Sequence, residues 1–400
     1  MTKVLGRFEN ELLLGAKPSL PNKRPVFIKT ALNVIADELS LQPTFGFRQF
    51  APRPATEPIL GIQTFLRAGV PTLHAATKTN IYEYTRSSGW SSVGAGFTGT
   101  NLDLWDIEPW GDWAIATNGV DVPQVDKGAG YAALGGTPPS PAIAIVPWKS
   151  FLILVTKDTV YWSDQDAPET WTALPENLAG ELPARDIKSS IRAALPLGEM
   201  VVHYTLDQQR AVQFIGGNDV FGRINLDSGI GAVGRNAVCS ANRRHYGWGP
   251  KGLWESDGSQ YLYIDNPDVK DYIQADLNAD LISRVCVFHL PQYRGIVFSY
   301  PRDGEDGNSS SVLFQYEQRA FWPQGWGRTC AVEDSAFGSP LFGDENGEIW
   351  EMPAAHGESS TAISGSAMVM RERWFGSSNR FLTPYGEQTF GALGEDIAFG

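Results

Sequence analysis

The sequence is short of the residues that most chemistries need in clusters. Only three of its 400 residues are cysteine, at 239, 286 and 330, and none lies in a CxxC or CxxH spacing. A structural zinc site has no support there, and reduced, buried thiols are expected over a disulfide. Cations are outnumbered: 32 Lys and Arg face 45 Asp and Glu, for a net charge of -13. Gripping phosphates takes clustered cations that displace counterions, so the balance argues against a nucleic-acid binder. Long apolar runs are missing too. The longest near the N-terminus is Leu12, Leu13 and Leu14, far below the ~18 residues of a membrane span. A soluble chain without a signal peptide or membrane span is expected, made in the cytoplasm. Charged residues reach only 19%, under the usual quarter. What is plentiful is turn formers and rings: 42 Gly, 26 Pro, 20 Phe, 13 Trp and 13 Tyr. Many short strands, frequent turns and abundant aromatics predict an all-β architecture.

One unit recurs: an apolar strand, a short polar turn, then a second strand with an aliphatic–aromatic step. The clearest copies are PTLHAATKTNIYEY from Pro71 and FLILVTKDTVYWSD from Phe151. In both, a Lys precedes the step by the same offset, and a Trp follows it (Trp90, Trp171). Looser copies are WAIATNGVDVPQ, MVVHYTLDQQRAVQF, RHYGWGPKGLWES, RGIVFSY with SVLFQY, and SPLFGDENGEIWEM. From Tyr82 to Trp350 the intervals average about 45 residues, near the length of a four-stranded propeller blade. Runs such as FLILV are continuous rather than alternating, as expected of strands covered on both faces. The pattern predicts a β-propeller of six or seven blades, ahead of a β-sandwich or a solenoid, with one blade completed by both chain ends.

The repeat divides the chain into an N-terminal extension (1–55), the propeller (56–353) and a Gly/Ser-rich C-terminal segment (354–400) for closure or docking. Within the first, FIKTALNVIADELSLQ reads as a short helix or two edge strands. The stretch FGFRQFAPRP follows, and Phe45, Phe47, Arg48, Phe50 and Arg53 form an aromatic–basic cluster. Interface enrichment of aromatics and Arg favours an assembly contact there over nucleic-acid stacking, and ordinary packing of an N-terminal strand against the propeller ranks equally with it. A helix is expected over VKDYIQADLNADLISRV, capped by Asp268.

The search for chemistry returns little. GIGAVG at 229–234 has dinucleotide-loop spacing but lacks the flanking strand and helix. The five histidines form no HExxH pair. GDENGE at 343–348 lacks the ligand alternation of a calcium loop and reads as a turn. Ser163-Asp164-Gln165-Asp166 before Trp171 resembles the structural Asp-box turn of sialidase-like propellers. Asp164/Asp166 and Glu108 near Asp112 are the carboxylate pairs a glycosidase would use, but acidic surface turns supply such pairs without function. No catalytic, cofactor-binding or metal residue is assigned, and no enzymatic activity is expected.

The order and texture of AATKTNIYEYT, WAIATNGVDVPQ, FLILVTKDTVYWSDQDAPETW, MVVHYTLDQQRAVQFIGG, GPKGLWESDG and LFGDENGEIWEM resemble the tail nozzle (tail hub, tail stabilisation) proteins of short-tailed bacteriophages. The resemblance covers roughly residues 58–352. It implies a virion protein of the tail that forms a ring, a homohexamer, below the portal–adaptor complex. That ring extends the DNA ejection channel and helps retain packaged DNA. The implied partners are further copies of itself, the head-to-tail adaptor, and tail fibre or plug proteins; DNA passes without specific binding. Two other classes compete: a carbohydrate-active or carbohydrate-binding propeller, sialidase-like or lectin, and a cellular interaction propeller, which the missing WD dipeptides count against.

Overall fold

The computed structural model describes residues 28–37, 40–44, 46–185, 187–226, 229–333 and 335–352, and the backbone of four strands between residues 365 and 390. Seven four-stranded antiparallel sheets follow one another along the chain: 61–95, 106–133, 144–183, 193–224, 238–263, 286–324, and 330–351 joined by 48–51. The first strand of each touches the first strand of the next, and the seventh touches the first, which closes the circle. This is a seven-bladed β-propeller, one of the two blade counts the repeat predicts.

Each recurring hairpin of the sequence is the second and third strand of one blade: Val70–Ala76 with Asn80–Thr85 in blade 1, Phe151–Val155 with Thr159–Trp162 in blade 3, and so on to Leu341–Gly343 with Ile349–Glu351 in blade 7. These strands lie in mid-blade, covered on both faces, so all five residues of FLILV are buried. The aliphatic–aromatic step has a direction. Successive strand residues face opposite sides of a sheet, so the aliphatic faces the next blade and the aromatic the preceding one. Ile81 joins Trp105 and Ile107 of blade 2, Val160 joins Ala194 and Val201 of blade 4, and Ile349 joins Leu73 of blade 1. Conversely Trp254 lies 5.1 Å from the Tyr204 ring of blade 4, and Phe314 lies 6.5 Å from Tyr246 of blade 5. Each such fully buried side chain contributes roughly 1.5–3 kcal/mol.

Blade 7 is closed by the N-terminal side of the chain. Arg48–Ala51 pairs antiparallel with Ile349–Glu351 and forms its outer strand. The propeller therefore begins inside the segment 1–55 that the sequence sets apart. Before it, FIKTALNVIADELSLQ takes the strand alternative: Ile28–Leu32, Val34–Asp37 and Ser40–Pro43. Asn33 anchors these strands to blade 6, its backbone N–H donating to Pro323 O at 3.0 Å and its side-chain oxygen accepting from Gly325 N at 2.7 Å. The strand Gly365–Val369 of the C-terminal segment pairs with Ile28–Leu32, so the two ends meet beside blade 6.

The expected helix is a correction. It spans Pro267–Gln274 only, and its cap is Asn266, whose side chain accepts from Val269 N, rather than Asp268. Pro267 occupies the first turn, where a missing N–H costs nothing, which moves the cap one residue ahead of it. A separate 3-10 turn, Ala279–Arg284, follows under an Asn278 cap, because Asn278 N is taken by Pro301 O in the neighbouring strand. No described helix is long and apolar enough to cross a membrane. All three cysteines are free and buried.

Candidate functional site

The axial channel is lined by the first strands of all seven blades and encloses about 350 Å³. Arg235, in the loop before blade 5, reaches across one mouth. It donates to the carbonyl oxygens of Leu104 and of Thr117, the latter at 3.1 Å, both in or next to blade 2 on the far side. Burial lowers its pKa to about 10, with Asp106 and Asp103 opposing the shift. Asp106 and Glu108 stand two residues apart on the first strand of blade 2, hence on one face. Burial raises Asp106, while its 2.7 Å bond from Ile145 N and the Arg235 charge hold it back. Burial raises Glu108 well above the carboxylate range, and the Asp106 charge adds to this. His289 and Glu333 of blades 6 and 7, also lining the channel, are paired at 2.7 Å.

A second polar cluster sits in the seam between blades 1 and 2. The ligand-type atoms of His74, Glu83 and Asp126 lie within 4.8 Å of one another. His74 Nδ1 meets Tyr131 OH at 2.8 Å, and Nε2 meets Glu83 Oε2 at 3.1 Å. Such a trio resembles a metal site, but Arg67 already supplies the cation. Its guanidinium donates to Glu83 Oε2 and, at 2.8 Å, to Asp126 Oδ2. Burial lowers the pKa of His74, so its imidazole is neutral and adds no second cation; the Glu83 bond opposes that shift. The His74 bond lowers Glu83 against the cost of burial. Burial works to raise Asp126, yet the Gly128 N–H and Arg67 outweigh it and the carboxyl ends lowered. One guanidinium shared by two carboxylates thus rivets the two blades together. Arg67→Ala leaves two carboxylates without their cation and is expected to cost about 3–5 kcal/mol. It also vacates the cation position, so Zn²⁺ should raise the variant's melting temperature and leave the parent's unchanged. Equal zinc responses in the two proteins would contradict the rivet.

The sequence-predicted cluster at 45–53 divides. Phe45 lies outside the described residues. The Phe47 ring is buried between blades 6 and 7, 4.9 Å from Trp326 and 5.6 Å from Phe342, with the Arg328 guanidinium 4.0 Å above it. Phe50 packs on the opposite side of blade 7, 5.3 Å from Tyr84 and 5.0 Å from Phe337. Arg48 pairs with Glu351 at 2.7 Å, and Arg53 is exposed. The carboxylates singled out in turns are taken up locally. Asp164 accepts from Gln165 N and Leu178 N, and Asp112 from Ala68 N. In the 343–348 turn, Asp344 accepts from Asn346 N, Glu348 N and Trp350 Nε1. That use of its oxygens is the structural turn expected there. The Arg67 cluster had no sequence signal, since its members are scattered from 67 to 131 and meet only across a seam.

No protein-family model matches this chain, and no curated protein matches it. Among solved structures, the extracellular domain assigned to a hybrid two-component system of B. thetaiotaomicron is similar, with a TM-score of 0.50 at 9% identity. The likeness covers 78% of this chain and 42% of that one, so this chain spans less than half the length of the structure it matches. At that identity the shared property is the propeller fold alone.

Proposed function

We propose that this chain is a structural protein of a bacteriophage tail, one subunit of the nozzle ring that continues the DNA ejection channel below the portal–adaptor complex. The observation that supports this most is where the resembling segments fall. They are the middle hairpins of blades 1 to 5 and 7, in order, so the resemblance follows the repeat of the fold. The axial channel of a single subunit is not the DNA path. At about 350 Å³, with Arg235 across one mouth, it cannot admit a duplex whose major groove alone is about 12 Å wide. The conduit is the lumen between copies, and the net charge of -13 suits a wall that DNA slides past. Polar groups at the blade seams hold blades together, and catalysis is no part of this role. The test is the protein content of purified particles: about six copies of the chain per virion support the role, and its absence from virions overturns it.

A further inference from the structure

We propose that the outer half of the seam between blades 2 and 3 is a binding groove for neutral carbohydrate. The groove exists because blade 2 is short at large radius. Its third and fourth strands, Gln124–Asp126 and Tyr131–Ala133, have three residues each, and Ala132 and Ala133 are exposed. They leave the facing side of the outer hairpin of blade 3 uncovered, and about 430 Å³ opens there, within the usual range for a small-ligand site.

The wall is aromatic and polar in alternation. Tyr161 and Glu181 are cross-strand partners, so ring and carboxylate share one face. Trp171 stands beside them, and its buried Nε1–H has no acceptor among the described residues. Buried donors are ordinarily paired, so this one points to an absent acceptor. Tyr161, Glu181 and Lys157 likewise make no side-chain hydrogen bond or ion pair among the described residues. The wall is also held in place. Lys127 binds both Glu169 oxygens at 2.8 Å, and Glu169 accepts from Gly135 N at 3.2 Å, which ties the 135–136 loop to the segment carrying Trp171. At Gly136, φ is +74° and a Cβ would lie 1.6 Å from Glu169 O, so only glycine permits this approach.

Flat rings that stack on C–H faces, interleaved with free acceptors and donors, are the chemistry that recognises a pyranose. Asp158 and Glu181 flank the groove against the single cation Lys157, which disfavours sialic acid and uronates and selects uncharged sugars. The inference stands apart from the ring assignment, since a lone subunit presents the same groove.

The test is the purified full chain on an array of neutral and sialylated oligosaccharides, with hits titrated by calorimetry. Neutral sugars should bind. Tyr161→Ala should weaken them about tenfold through lost stacking. Trp171→Phe, which keeps a packed ring, and Glu181→Gln should each weaken them about fivefold. Melting curves that match the parent show which variants are folded, and Tyr161→Ala carries the test if Trp171→Phe is not. No binding at millimolar sugar, binding confined to sialylated glycans, or affinity untouched in folded variants overturns the proposal.

Discussion

Replacing His203 with leucine is expected to make the protein markedly more resistant to acid. Both ring nitrogens of His203 are buried without a hydrogen-bond partner among the described residues, and burial lowers its pKa to about 4, with Arg210 adding to the shift. The unfolded chain binds that proton near the ordinary value of about 6.5. Between these values the unfolded state holds more protons than the folded state, so stability falls as pH drops from 6.5 towards 4 and levels off below. The loss is on the order of 2 kcal/mol by pH 5 and 3 kcal/mol by pH 4. His245 is lowered to about 4 as well, but it bonds Tyr204 OH and Pro196 O, so its removal would also break contacts. Raised carboxyls such as Glu108 have the opposite sign, because a folded state that binds protons first gains stability on acidification. Comparing parent with variant cancels their contribution. His203→Leu should match or exceed the parent's melting temperature at pH 7.5, and the gap should widen steadily to pH 4.5. Parallel curves would refute the assignment.

The second large effect lies at the closing strand. Phe47→Ala removes a ring buried between Trp326 and Phe342 and uncovers the buried Arg328 guanidinium stacked on it. The cost should be about 3–5 kcal/mol, or a melting temperature lower by about 5 °C for a chain of this length. Arg53→Ala, at an exposed position a few residues on, should change stability by no more than about 0.5 kcal/mol. Equal melting of Phe47→Ala and the parent would show that blade 7 does not need this strand. Deleting 1–55 removes the outer strand of blade 7 and so tests folding before it tests assembly. A deletion aimed at ring contacts has to end ahead of Ile28, because Ile28–Leu32 and Val34–Asp37 pack on blade 6.

How far the sequence reveals this molecule depends on radius within a blade. Middle strands are sandwiched by neighbours, so FLILV, GIVFSY and SVLFQ stand out as continuous apolar runs. First strands are less conspicuous. AALPL and VCSA are small because the axis is crowded, and one edge of each faces the channel instead of a partner strand. Outer strands such as YAA and GELP are short enough to pass for loops. The closing strand RQFA was hidden for a different reason. Its rings and arginines look the same whether they pack within the chain or onto a partner, and only the pairing with Ile349–Glu351 separates the two. The Arg67 cluster and the carbohydrate groove are properties of seams. The first joins residues of two blades and the second joins blade 3 to the 137–141 connection, and no periodicity along one strand encodes a neighbour across a gap.

The ring assignment is reached most directly by electron microscopy of the purified chain with its adaptor, or of intact particles. The account predicts six-fold rings of seven-bladed lobes around an acidic lumen wide enough for a duplex. Isolated monomers under assembly conditions, or a ring whose lumen is uniformly basic, would contradict it.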